Sequence, residues 1–185
     1  EHLIRDEPPK ELENVETHIA GSVRQLCSAA QKACRELGYE AVTLTDRLSC
    51  TARDAGVFLS NIAGSYANSG KKIAFLAGGE TVVYLTGNGL GGRNQELALA
   101  AAPGISGLNA AVFSLGSDGT DGPTDAAGGY VDGTTMETLK GQGICISDVL
   151  RNNDAYHALQ RCDGLIITGA TGTNVNDISV LLIGE

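Results

Sequence analysis

The sequence predicts an α/β domain, a three-layer sandwich around a mixed, mostly parallel sheet. Three observations carry that expectation. Short β-branched or apolar runs alternate along the chain with amphipathic, helix-type segments. Glycine-rich polar clusters follow the ends of the predicted strands, where ligands bind in open α/β sheets. The predicted third strand also runs through Gly78-Gly79-Glu80 directly into another strand-type run, Thr81–Thr86. Such a hairpin-like pair makes the sheet mixed rather than purely parallel.

Residues 1–13 are charged and contain Pro8-Pro9. They read as a linker or the tail of an upstream domain, leaving 14–185 as the folded α/β unit. The absence of an opening methionine fits a piece of a longer protein. Val15–Ala20 can form a first short strand. Ser22–Leu37 has Val23, Leu26, Cys27, Ala30, Ala33, Cys34 and Leu37 at helical spacing, with Gly38 as its stop. Glu40–Thr45 reads as a strand and Ala52–Ala67 as a second helix ending at Gly70. Lys71–Ala77 is a strand, and its continuous Ile73-Ala74-Phe75-Leu76 suits burial on both faces. Leu97–Ala102 is strong helix-former sequence, followed by a buried strand at Ala110–Leu115. Thr134–Lys140 and Asp154–Gln160 read as short helices, and Leu165–Thr168 and Ile178–Ile183 as strands.

With 185 residues, 42% hydrophobic and 19% charged, the chain is long enough for one substantial core and is not of disordered composition. A net charge of −9 argues against nucleic acid and anionic membrane as main partners. No apolar run approaches the ~18 residues of a membrane span, no signal peptide opens the chain, and the expected compartment is cytoplasmic. Cys27, Cys34, Cys50, Cys145 and Cys162 form no C-x-x-C and no zinc-type spacing with histidine, so they read as buried free thiols.

The chemistry concentrates in Gly87-Asn88-Gly89-Leu90-Gly91-Gly92-Arg93-Asn94-Gln95-Glu96. A strand-type run before it and a helix after it place backbone N–H groups and a helix N-terminus at one point, the arrangement of an anion site. Gly89, Gly91 and Gly92 allow close approach of backbone, and Arg93 adds a planar fork for carboxylate or phosphate. Gly87, Gly89 and Gly92 also spell G-x-G-x-x-G, a dinucleotide fingerprint with Asp118 as a conceivable ribose partner, although Asp118 falls beyond the usual ~20-residue spacing. A plain flexible turn is the bland alternative.

Two further clusters follow strands, Gly116–Asp125 and Thr168–Asp177. Asp118, Asp121 and Asp125 are hard oxygen ligands for Mg²⁺, or one of them could deprotonate an attacking hydroxyl; Asx turns are the structural alternative. Thr171, Thr173 and Asn174 offer donors to an anion, and Asp177 could cap a helix or turn instead. His2, His18 and His157 lie outside these loops, which argues against a Ser-His-Asp triad.

The ordered blocks A-G-G-E-T-V-V, G-x-G-x-G-G-R-N-Q-E-L-A-L-A, G-S-D-G-T-D-G-P-T-D-A-A-G-G, N-N-D-A-Y and T-G-A-T-G-T-N-V-N-D resemble the C-terminal MOFRL domain of type-2 glycerate kinases. Some members of that family carry a hydroxypyruvate reductase label. The resemblance spans nearly the whole chain and departs from the family at Ala170, commonly proline, and Ala155, commonly serine. It implies ATP- and Mg²⁺-dependent phosphorylation of D-glycerate, commonly at the 2-hydroxyl, in a cleft shared with an N-terminal Rossmann-like kinase domain. The chain alone would then be inactive, and the whole protein could be a homodimer. It further implies an anion-binding, catalytic role for Arg93. Glu80, Asn94 and Glu96 would orient that arginine or the substrate hydroxyls. Asp118, Asp121 and Asp125 would take the metal or base role, and Thr120, Thr173, Asn174 and Asp177 would complete the wall. An NAD(P)H-dependent reductase and a non-catalytic ligand-binding module are the other readings.

Overall fold

The computed structural model describes residues 14–184 except Thr17 and Ile19; the expected linker 1–13 and His2 lie outside the described residues. The chain order is α1 (Val23–Glu36), β1 (Glu40–Leu48), α2 (Ala52–Tyr66), β2 (Ile73–Gly79), α3 (Arg93–Ile105) and β3 (Ala110–Gly116). It continues with β4 (Gly128–Asp132), α4 (Thr135–Gly141), α5 (Ile146–Arg151), α6 (Ala155–Gln160), β5 (Leu165–Ile166) and β6 (Asp177–Ile183). No described helix is long and apolar enough to cross a membrane.

One mixed sheet runs in the order β1-β2-β6-β3-β4-β5. Only β1–β2 is parallel; β2–β6, β6–β3, β3–β4 and β4–β5 are antiparallel. The expected mostly parallel pairing is thus corrected. The last strand inserts between β2 and β3, and β4 folds back beside β3, so each breaks a parallel neighbourhood. The strand directions keep part of the expectation. β1, β2, β3 and β5 point one way, and their carboxyl ends meet the starts of β4 and β6 at a single edge.

Alternation along the strands splits the core into the two outer layers of the sandwich. Ala74, Leu76, Ile178 and Val180 face α1, where Cys27 and Cys34 are buried. Ile73, Phe75, Val112, Val131, Leu181 and Ile183 face the layer of α2 to α6. All five cysteines are free; Cys50 and Cys145 are exposed, and burial raises the Cys27 and Cys34 thiols above the usual range.

At the centre of the second layer lies α3. Leu97, Ala98, Leu99, Ala101, Ala102 and Ile105 are all 0% exposed, so the helix is apolar on every side beyond its first turn. Its alanines allow close approach, and α2 comes nearest at Gly56, where a Cβ would overlap the Leu97 carbonyl.

Three local expectations change. The described residues of 15–20 form no strand, and Val15 is 57% exposed, with no face to bury against and no ladder to join. Thr81–Thr86 is a loop with one isolated parallel bridge, Thr51–Val82. Its later backbone groups bond instead to the segment around Asn153. β4 and α5 were not expected. β4 is masked by Gly128-Gly129, which read as loop but pack tightly: a Cβ at Gly128 would overlap the Ser114 carbonyl, and one at Gly129 would press on Leu159, Ala98 and Gln95.

Gly56→Ala will push α2 off α3. We expect a loss of about 2 kcal/mol from overpacking, read as a lower midpoint in urea at unchanged slope.

Candidate active site

The strand-end edge gathers the Gly78-Gly79-Glu80 turn, the loop after β3, the start of β6 and the first turn of α3. A cavity of about 880 Å³ opens there, bordered by Glu80–Val83, Leu85, Gly87–Gly89, Gly91–Arg93, Glu96, Asp121–Pro123, Asn153 and Ala155.

Arg93, the first residue of α3, is held by two carboxylates. Its Nε donates to Asp177 Oδ2 at 2.6 Å and its Nη2 to Asp177 Oδ1 at 3.1 Å. Nη1 lies 3.0 Å from Glu80 Oε1. The Asp177 side chain is 7% exposed and grips the fork in two places; that of Glu80 is 55% exposed and touches once. The first contact is the strong, orienting one, and the second is a screened surface pair. The Asp177 hydrogen bonds push the guanidinium pKa above its already high normal value. Of the five N–H groups of a guanidinium, two are hydrogen-bonded to Asp177, and Nη1 is ion-paired with the more exposed Glu80.

The N-terminus of α3 is already filled by an anion. Asp121 Oδ1 accepts from the Asn94 N–H at 3.1 Å and from Asn94 Nδ2 at 3.2 Å, and its Oδ2 accepts from the Gln95 N–H at 2.9 Å. The helix has no side-chain cap of its own at Gly92, so Asp121 serves as the cap from another loop. Gly92 is needed for this, because a Cβ there would overlap the Asp121 carboxyl. Burial raises the Asp121 pKa to about 6, opposed by the Gln95 and Asn94 backbone N–H groups and the Asn94 side-chain amide and reinforced by Asp177. The anion that the glycine–helix junction holds is therefore the protein's own.

The glycine loop is occupied in the same way. Asn153 Oδ1 accepts from the N–H groups of Thr86 (2.7 Å) and Gly87 (3.0 Å), Asn152 Oδ1 from that of Asn88 (3.2 Å) and Asp154 Oδ1 from that of Leu90 (2.9 Å). The Gly89 N–H donates to the Asn152 carbonyl at 2.8 Å. Side chains at Gly87 or Gly89 would overlap Asn152 or Asp154. These glycines thus let one loop template another, and the dinucleotide reading loses its context: no strand precedes the motif, and these donors are committed.

Glu96 is nearly buried between Arg53 Nε (2.8 Å) and Asn153 Nδ2 (3.1 Å), while Arg53 also donates to the Leu150 carbonyl. Asn94 Oδ1 accepts from Ser114 Oγ at 2.5 Å, and Ser114 meets Ser179 at 2.8 Å. Arg53 and Asn153 were not singled out from the sequence. Asn153 had a signal, since it stands in the N-N-D-A-Y block, whereas Arg53 lies in an ordinary amphipathic helix.

Of the expected site residues, Glu80, Gly89, Gly91, Gly92, Arg93, Glu96 and Asp121 border the cavity, with Asn94 and Asp177 directly behind them. The expected Asp118, Asp121, Asp125 metal set does not assemble. Asp118 accepts from the Thr120 N–H at 2.9 Å in an Asx turn, and Asp125 accepts from the Tyr156 hydroxyl at 2.8 Å on the surface. No cluster of three metal-ligating side chains occurs among the described residues. Asp118, Asp121 and Asp125 therefore do not form one metal site. Thr173 and Asn174 are exposed and bond within their own loop, away from the cavity lining.

A model of the MOFRL family matches residues 73–177. The D-glycerate 2-kinase of Thermotoga maritima is 48% identical, over 97% of this chain and 44% of its own length. The glycerate 2-kinase of Pyrococcus horikoshii is 41% identical, over 94% of this chain and 41% of its own. A crystal structure of a glycerate kinase from Thermotoga maritima superposes with a TM-score of 0.91 at 49% identity, covering 95% of this chain and 44% of that one. The chain spans less than half the length of these relatives.

Two measurements check the site's construction. A carboxyl raised from 3.8 to about 6 contributes stability that is complete below about pH 4 and lost as pH rises through about 6. The unfolding free energy will fall by about 3 kcal/mol across that window, and Asp121→Asn will remove this slope from urea titrations. Asn153→Ala strands the Thr86 and Gly87 N–H groups and takes one of two partners from the Glu96 carboxylate; we expect about 2–4 kcal/mol lost and faster amide exchange at residues 84–90.

Proposed function

This chain belongs to the MOFRL family, and from that premise we propose that it is the C-terminal part of a glycerate kinase. The reaction would move the γ-phosphoryl group of ATP to D-glycerate, at the 2-hydroxyl named for its relatives. Residues 14–185 would form the cleft-bearing domain and 1–13 the link to an N-terminal kinase domain, in a cytoplasmic enzyme.

The observation that carries this reading is the Arg93 guanidinium, fixed by Asp177 beside the 880 Å³ cavity with N–H groups that Asp177 does not use. A carboxylate or a transferring phosphoryl group would take these N–H groups and displace the weakly held Glu80. Asp121 is the one of the three candidate aspartates that borders the cavity. Its pKa near 6 suits acceptance of the substrate hydroxyl proton near neutral pH. The hydroxyl oxygen then attacks phosphorus, and ADP departs with the bond it breaks.

Charge supports a shared site. Around the cavity, Arg93 and Arg53 face Glu80, Glu96, Asp121 and Asp177, an acidic surplus that cannot neutralise a triphosphate. The missing positive charge would come from the other domain and from Mg²⁺ held with its help. Phosphoryl transfer depends on that neutralisation and on positioning.

A coupled ADP-release assay with D-glycerate and Mg-ATP tests the reading. Activity is expected when the chain is rejoined to its upstream coding region and absent from the chain alone. In the active protein, Arg93→Ala will lower kcat/KM by about 100-fold or more, and Arg93→Lys will recover little, since an ammonium cannot span both Asp177 and a ligand. Unchanged kinetics in both variants would remove Arg93 from the site.

A further inference from the structure

One polar group at the cavity has no partner to explain it. Thr81 borders the cavity beside Glu80 and is 4% exposed, and its Oγ1 is buried with no hydrogen-bond partner among the described residues. Buried hydroxyls without a partner are rare, because each forfeits the hydrogen bonds it had in water. A loose loop does not account for this one. The flanking backbone is clamped to the segment after β1: the Glu80 N–H donates to the Leu48 carbonyl at 2.8 Å, the Val82 N–H to the Cys50 carbonyl at 3.2 Å, and the Ala52 N–H to the Val82 carbonyl at 2.9 Å. Thr81 is thus held at the cavity wall by a fixed backbone. Valine has the same shape and would fill the position with no orphaned oxygen, so packing alone does not call for threonine.

We propose that Thr81 is a specificity residue, whose hydroxyl turns about χ1 into the cavity and hydrogen-bonds an uncharged oxygen of the substrate. The inference rests on the glycerate kinase reading and names the part of the substrate that Thr81 reads. Arg93 takes the charged end of the ligand, and Thr81, next to the Arg93 partner Glu80, takes a hydroxyl of the same small hydroxy acid. Such pairing discriminates strongly, since an acid lacking that hydroxyl leaves the threonine oxygen unpaired.

The test uses Thr81→Val and Thr81→Ser, in the 185-residue chain and in the protein rejoined to its upstream region. Without ligand, Thr81→Val is expected to match or exceed the parent in urea stability, whereas a purely structural hydroxyl would make it less stable. With D-glycerate, Thr81→Val is expected to raise KM by about 10- to 100-fold with a smaller change in kcat, and Thr81→Ser to stay near the parent. An unchanged KM in Thr81→Val, in a protein that turns over, overturns the proposal and leaves the kinase reading standing. If the rejoined parent releases no ADP, the kinase reading fails, and Thr81 is judged by thermal shift with D-glycerate. A shift in the parent that Thr81→Val lacks supports the role; equal shifts, or none in either, overturn it.

Discussion

The first turn of α3 is the constraint on which the cleft depends, and within it the seat of Asp121 on the Asn94 and Gln95 N–H groups. Four successive side chains there reach four parts of the fold. Arg93 ties to the start of β6 through Asp177; Asn94 ties to β3 and, through Ser114, to Ser179 in β6. Gln95 holds the loop after β3 at Thr124 and the Asp121 carbonyl, and Glu96 joins α2 at Arg53 to Asn153. Asn94, Gln95 and Glu96 are each 3% exposed or less, so this polar turn is buried like core. Burying polar groups is costly unless they are hydrogen-bonded, and the bonds that these side chains make to four parts of the fold make their positions interdependent.

The glycines next to this turn serve the same end. At Gly87, Gly89 and Gly92 the missing side chain admits other parts of the same chain: Asn152, Asp154 and the Asp121 carboxylate. A glycine loop leading into a helix is ordinarily read as a cradle for a phosphate. Here the N–H groups from Thr86 to Leu90 and those of Asn94 and Gln95 are taken from within the chain, and the Arg93 fork stands beside them at the cavity wall.

Much of this was legible in the sequence. Helical spacing from Val23 to Leu37 placed α1, apolar continuity placed β2, and the R-N-Q-E run after four glycines marked the site. The failures share a cause, which is that partners distant in sequence decided the outcome. Thr81–Thr86 has strand composition, yet Asn153 takes the Thr86 N–H that a ladder would need. Gly128-Gly129 has loop composition, yet β3 lies too close for a side chain at Gly128, and Leu159 and α3 crowd the space at Gly129. Asp118, Asp121 and Asp125 share a spacing that suggests one metal site, but an Asx turn, a helix N-terminus and a tyrosine each claim one. Local composition registers what a residue can do; which of its options is used depends on a neighbour that only the fold brings near.

The α3 turn is hydrogen-bonded within the chain apart from Gln95 Oε1, which is buried without a partner among the described residues, and the cavity beside it is acidic. Asp177 grips the Arg93 fork in two places with no group from outside the chain, so the fork is oriented before any ligand arrives. Orientation of that kind lowers the entropy that binding must overcome. Yet the same carboxylates that orient the fork leave the cavity acidic, and a transferring phosphoryl group cannot dwell in a surplus of negative charge. On the glycerate kinase reading proposed above, an acidic wall with one poised arginine would need positive charge brought to the open side of the cavity.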